Sequence, residues 1–373
     1  MSHLLDRHTL GAISLKNRVV MAPMTRARNA DCVAGPHNAT YYGQRAGAGL
    51  IVTEGTPVSP NGQGYAFVPG IWSDEQVAGW RGVTDRVHEQ SGRIFAQLWH
   101  VGRLSHTSLQ PNRQQPVSAS EIPADGAMTF AFDDNGTLGF LPVTPPRALT
   151  VDEIAGVTAD FADAGKNADT AGFDGVEIHG ANGYLFEQFF NPNSNVRTDH
   201  YGGSIENRSR FALETVDQLI DLLGDSTRVG IRLSPFSQSF NMQPYDEAEE
   251  TYLYLGQELA TRNLAYVHIN DQFPDGNRIV SKDFLARFRT AYPGTIILAG
   301  GLDQQLAENY VAEGLIDLAA FGQPFISNPD LPERFRNDWA LAVPDRDTFY
   351  GGGLEGYIDY PDYNQALVAP ADA

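Results

Sequence analysis

The chain has 373 residues, 42% hydrophobic and 10% aromatic, enough for one sizeable core and within the range of a single α/β barrel with insertions. A formal net charge of −20, with only three lysines among 26 basic residues, excludes nucleic acid and anionic membranes as general partners. The single cysteine, Cys32, excludes an internal disulfide and any cysteine-ligated cluster or zinc site, and without an apolar run of roughly 18 residues or a signal-peptide core a cytoplasmic protein is expected.

After a turn at Gly11-Ala12, residues 18–21 read as a buried strand that stops at Pro23, which cannot extend a ladder. A helix near 38–45 leads through Gly47 and Gly49 to a second strand, 50–53, with Glu54-Gly55-Thr56 at its end. Asp74 is expected to cap a helix over 74–90, and 93–98 forms a third strand ending in Trp99-His100. From 103 to 146 the rhythm breaks. Pro, Ser, Asn and Gln dominate there, which predicts a lid-like excursion over the barrel mouth with a hairpin near 128–141. Thr150 and Glu153 form a capping box that opens a long helix to about 170, followed by strand four at 175–178. Ser204 starts the next helix, and strands five to eight fall at 228–233, 266–269, 295–299 and 318–321, with helices near 246–262, 281–292 and 303–313 between them. Eight strand-then-helix units with apolar, rarely alternating strands predict a closed (β/α)₈ TIM barrel. No boundary divides 1–373, so one domain is expected, its loop-rich tail from 341 to 373 packing back on the mouth.

The chemistry gathers at the C-terminal ends of the strands, which share one face in a barrel. Strand four runs into His179, Asn182 and Tyr184 through a turn loosened by Gly180 and Gly183. Thr25, Gly55, Gln97, Trp99 and Arg232 sit at other strand ends, and Gly300-Gly301 and Gly322 follow strands seven and eight, where barrels commonly bind phosphate. An arginine ending a buried strand needs a partner, and no acid neighbours Arg232 in sequence, so a ligand that gathers negative charge is expected there. Gln97 offers one acceptor and two donors, suited to the edge of a uracil-like ring. A flat, phosphorylated cofactor that becomes anionic in use matches reduced flavin mononucleotide (FMN).

These residues carry a resemblance. The chain resembles the old yellow enzyme family of flavin-dependent ene-reductases, near the branch of N-ethylmaleimide, morphinone and pentaerythritol tetranitrate reductases. The matching stretches span nearly the whole chain: Lys16-Asn17-Arg18, Met24-Thr25-Arg26, Tyr41-Tyr42, Gln97-Leu98-Trp99-His100, Gly172 to His179, Tyr201-Gly202-Gly203-Ser204, Asn328-Pro329-Asp330-Leu331 and Tyr350-Gly351-Gly352. The resemblance implies that Pro23, Met24, Thr25, Gly55, Gln97 and Arg232 hold the flavin ring, and that Gly300, Gly301, Phe321 and Gly322 take its phosphate. It implies that His179 and Asn182 donate hydrogen bonds to a substrate carbonyl or nitro oxygen, that Tyr184 protonates the α-carbon, and that Tyr65, Trp99, Phe240 and Tyr350 line the pocket. NADPH or NADH would be the reductant and activated alkenes the substrates, in a monomer or homodimer without a metal. Thr25 stands where another branch carries cysteine, which favours the branch named above.

Two positions depart from the family pattern. The turn after strand eight usually reads Phe-Gly-Arg, with the arginine on the flavin phosphate; here it is Gln323, which predicts weaker flavin retention. The wording of 234–242 also differs, leaving Phe236 and Phe240 as alternatives for the substrate-facing ring. Competing readings are a nitrate-ester or nitro-compound reductase as the main activity, a flavin-binding barrel without catalysis, and a metal-dependent or aldolase-type barrel. The last lacks a histidine pair at ligand spacing and a strand-end lysine.

Overall fold

The computed structural model of the chain describes residues 3–271 and 278–364. Eight parallel strands close into a barrel in chain order: β1 (Val19–Met21), β2 (Leu50–Pro57), β3 (Ile94–Trp99), β4 (Gly175–Gly180), β5 (Val229–Leu233), β6 (Tyr266–Asn270), β7 (Ile296–Ala299) and β8 (Leu318–Phe321). Strand β8 pairs back onto β1 and closes the ring. Every residue of these strands is buried, because helices cover the outer face and side chains fill the inner one. That double burial is why the strands read as unbroken apolar runs.

The two-residue alternation of a strand sorts side chains between two cores. Val20, Leu50, Val52, Phe95, Tyr266, Ile297, Leu318 and Ala320 pack inside the barrel. Val19, Met21, Ile51, Ile94, Ile178, Ile231 and Leu298 pack outward with the helices. An N-terminal hairpin (His8–Leu10 with Ile13–Leu15) joins the interior core through Leu10 and Leu15. Its turn needs Gly11, at φ 51°, since a Cβ there would lie 2.1 Å from Thr227 Oγ1.

Side-chain caps start the long helices. Thr150, Ser204, Ser281 and Asp303 each accept a backbone N–H of the first turn of Val151–Thr170, Ile205–Leu223, Lys282–Ala291 and Gln304–Ala312. The helix Asp74–His88 corrects one expectation. Its cap is Ser73, whose hydroxyl accepts from Gln76 N, while Asp74 takes a first-turn place suited to the helix dipole. Strand β2 also runs further than the sequence predicts, to Pro57, so Gly55 lies inside the strand, at the register shift that begins at Val52. Short helices Leu185–Phe190, Gln323–Ser327 and Leu331–Asn337 were not anticipated from periodicity; each is too short to show one.

Between β3 and the helix Val151–Thr170 the chain leaves the barrel. A hairpin there pairs Met128–Phe132 with Leu138–Pro142, and Ala124, Ala127 and Val143 pack with Trp99 and Tyr184. The C-terminal segment returns to the end of β1, where Arg26 donates to the carbonyls of Thr348, Phe349 and Gly356 and lies over the rings of Tyr41 and Tyr357. Among the described residues no helix is long and apolar enough to cross a membrane, and no group of three or more His, Cys, Asp or Glu side chains is placed to hold a metal.

Candidate active site

The barrel's parallel register builds a polar layer above the apolar interior. Gln97 of β3 lies beside Glu177 of β4, His179 of β4 beside Arg232 of β5, and Arg232 beside His268 of β6. Residues 36 to 80 positions apart in sequence are therefore brought side by side. Glu177 is completely buried and takes two hydrogen bonds, from Gln97 Nε2 at 2.7 Å and His268 Nδ1 at 2.8 Å. Burial opposes its charge, but His268 and Arg232 outweigh that and hold the carboxyl below its usual range. Glu177, on the adjacent strand, also acts electrostatically on Arg232, an acid that the sequence neighbours of Arg232 do not supply. The compensation is incomplete: Arg232 gives one hydrogen bond, from Nη2 to Asn270 Oδ1 at 2.9 Å, and its buried Nε has no partner.

Above this layer stands an aromatic wall. The ring of Trp99 stacks on His179 at 6.0 Å and on Tyr65 at 5.6 Å, and meets Tyr184 edge-on at 4.9 Å. Trp99 Nε1 and His179 Nδ1 are buried without partners. Gly55 makes room for this wall, since a Cβ there would lie 2.5 Å from the Trp99 ring. Burial, with Arg232 and His268 nearby, pushes His179 well below its ordinary pKa, so it stands as a neutral imidazole with one N–H to donate. The phenol of Tyr184 lies 3.4 Å from that of Tyr65. Burial raises Tyr184 well above the ordinary phenol range and Tyr65 to about 12, so both keep their protons at neutral pH.

The turn after β4 presents these groups. Asn182 takes a left-handed backbone, φ 58°, tolerated by asparagine, and Gly183 follows at φ 76°. Tyr184 then precedes the first residue of helix Leu185–Phe190. Two groups that sequence reasoning missed fix the turn: Ser234 Oγ accepts Asn182 N–H at 2.7 Å, and Glu187 Oε2 accepts Gly183 N–H at 2.6 Å and the Ser234 hydroxyl at 2.7 Å. Their signal was faint, because a serine after a strand and a glutamate in an apolar segment look like solvent-facing residues.

Burial raises the Glu187 carboxyl from 4.5 to about 7 despite its donors. The folded chain therefore binds this proton more tightly than the unfolded chain. The resulting stability is fully present below pH 4.5 and is lost as pH rises through about 7, an effect of up to about 3 kcal/mol. Glu54, also raised to about 7 by burial, adds in the same direction. The thermal midpoint should fall between pH 5 and 7.5 from this source, and Glu187→Gln should flatten that slope. An unchanged slope in the variant would show that Glu187 titrates normally.

The other predicted residues distribute as follows. Pro23, Met24 and Thr25 follow β1, half-buried, and Gln97 keeps its carbonyl oxygen and one N–H beyond the bond to Glu177. Gly300 and Gly301 leave β7 with φ of 109° and 60°, a backbone region that favours glycine. Phe321 ends β8 buried, Gly322 follows half-buried, and Gln323 is exposed as the first residue of the short helix Gln323–Ser327. Tyr350 is exposed, yet near enough to act electrostatically on Tyr65 and Tyr184. Of the two rings the sequence leaves open, Phe240 lies 5.8 Å from the Tyr184 ring, and Phe236 packs on Phe284 at 5.0 Å. Partnerless buried donors, an undercompensated guanidinium and opened glycine loops fit a flat, electron-rich, phosphorylated group such as FMN.

The sequence profile of the family described as NADH:flavin oxidoreductase / NADH oxidase matches residues 5–341. The 12-oxophytodienoate reductase 1 of Oryza sativa subsp. japonica is 42% identical over 370 residues, which is 96% of this chain and 92% of that protein. Among solved structures, morphinone reductase in complex with tetrahydroNAD is 48% identical, with a TM-score of 0.94 over 99% of this chain and 100% of the other. The old yellow enzyme homologue from Zymomonas mobilis is 36% identical, with a TM-score of 0.89 over 96% and 99%.

Proposed function

The chain belongs to the NADH:flavin oxidoreductase / NADH oxidase family, of old yellow enzyme type, and from that premise we propose that it is an FMN-dependent ene-reductase. It takes reducing equivalents from NADPH or NADH and reduces the activated C=C bond of enones, enals, maleimides and nitroalkenes. The observation that carries this reading is a mouth lined by buried polar nitrogens without partners, Arg232 Nε, Trp99 Nε1 and His179 Nδ1, around a protonated phenol.

When bound, FMN supplies the hydride. Pro23, Met24, Thr25, Gly55 and Gln97 hold its ring, and Arg232 meets the charge that gathers on reduction. Gly300, Gly301, Phe321, Gly322 and Gln323 take the phosphate end. His179 and Asn182 donate to the substrate's carbonyl or nitro oxygen, drawing electron density from the double bond as an oxyanion hole does. Tyr184 gives its proton to the α-carbon. Tyr65, Trp99, Phe240 and Tyr350 shape the pocket, and the excursion 103–146 acts as its lid.

An anaerobic visible spectrum tests the reading. Yellow absorbance that bleaches with NADPH or NADH and returns with 2-cyclohexenone is the expected cycle. A flavin-loaded protein that no nicotinamide bleaches would overturn it in favour of a non-catalytic flavin carrier.

A further inference from the structure

We propose that Asn270 is a positioning residue that locks the side-chain amide of Asn182 with its N–H₂ group toward the substrate pocket, the direction being imposed by Arg232. This deepens the ene-reductase reading and rests on it for the identity of the substrate.

The two ends of an asparagine amide are nearly alike in shape, so its orientation must be inferred from partners. Here the partners leave one solution. A guanidinium has only donors. Arg232 Nη2 lies 2.9 Å from the Asn270 side chain, so the atom facing it must be the oxygen. The other end of Asn270 is then its N–H₂, which lies 2.7 Å from Asn182 and must meet an oxygen in turn. Asn182 therefore has its carbonyl directed at Asn270 and its own N–H₂ directed away from it. Arg232 and Asn270 are both more than nine-tenths buried, which excludes water as a competing partner for most of their surface.

The backbone of Asn182 is already pinned through Ser234 and, one residue on, through Glu187. Reversal of the terminal amide is the freedom that remains, and Asn270 removes it. The consequence is a polarity filter: at Asn182 the pocket offers a donor, which accepts carbonyl and nitro oxygens and disfavours ligands that would place an N–H there. Asn270 ends β6, one residue beyond the strand expected from sequence, and its role depends on β5 and the β4 turn, which lie 38 and 88 residues away.

Asn270→Asp tests the relay by inverting it. A carboxylate still accepts from Arg232 but also offers an acceptor to Asn182, whose amide must turn to donate inward and present its oxygen outward. Titration of the flavin-loaded protein with 2-cyclohexenone, read from the flavin spectrum, should show roughly ten- to a hundredfold weaker binding. Asn270→Leu, which leaves the amide unrestrained, should fall between. In an Asn182→Ala background Asn270→Asp should cause no further weakening, the signature of action through Asn182. Equal weakening with and without the Asn182 amide would overturn the relay and place the effect on Arg232, and so would undiminished binding in a folded variant. A second readout does not depend on any substrate. The Asn182 side-chain amide, assigned by NMR from its loss in Asn182→Ala, should exchange its protons readily in the native protein and be protected in Asn270→Asp. The reverse pattern would overturn the relay. A native protein that shows the expected exchange but neither binds nor reduces enones would instead sink the functional reading alone.

Discussion

Tyr184→Phe should slow the reduction of 2-cyclohexenone by about 10²–10⁴-fold, the usual contribution of a positioned general acid. The phenol stands 4.9 Å, ring to ring, from both His179 and Trp99, and its burial keeps it protonated. Phenylalanine preserves those ring contacts and the packing against Phe240, so the substitution removes a proton donor while leaving the wall in place. The half-reactions then separate. Bleaching of the flavin by NADPH or NADH, which requires no proton from Tyr184, should change far less than reoxidation by the enone. Stopped-flow traces of the two steps decide the matter: equal loss in both would refute Tyr184 as the acid. The Tyr65 phenol lies 3.4 Å away and is likewise protonated at neutral pH, burial raising it to about 12.

Gln323→Arg should tighten FMN binding by about ten- to a hundredfold, because a charge-assisted, bidentate contact to a phosphate replaces a neutral amide. Gln323 is exposed at the start of its short helix, directly after the Phe321-Gly322 turn, so an arginine can be accommodated there without repacking the core. Titration of the flavin-free protein, read as quenching of flavin fluorescence, measures the constant. In excess FMN each tenfold gain should also appear as about 1.4 kcal/mol of added stability. An unchanged dissociation constant would show that the backbone groups of Gly300, Gly301 and Gly322 already saturate the phosphate.

Much of this protein was determined locally, and that part was legible in the sequence. The eight barrel strands announce themselves because both their faces are buried, and caps such as Thr150 with Glu153 mark helix starts within four residues. His179, Asn182 and Tyr184 could be grouped because one strand end and its turn carry all three. Local signals also misled in places: Ser73 rather than Asp74 caps its helix, since both residues suit a helix start and only geometry separates them.

What the tertiary structure alone decided is how distant strands meet. The pairing of Glu177 with Gln97 and His268, its nearness to Arg232, and the packing of Phe240 on Tyr184 and of Phe236 on Phe284 depend on barrel register and on loop paths that no sequence period encodes. The same holds for the chain of hydrogen bonds from Arg232 through Asn270 to Asn182. Hydrophobic periodicity states which face of a strand is inward; it says nothing about which polar groups of other strands share that level. A hydrogen bond needs its partners within about 3 Å and correctly oriented. Sequence therefore fixed the barrel and the candidates, and only closure of the barrel fixed their partners.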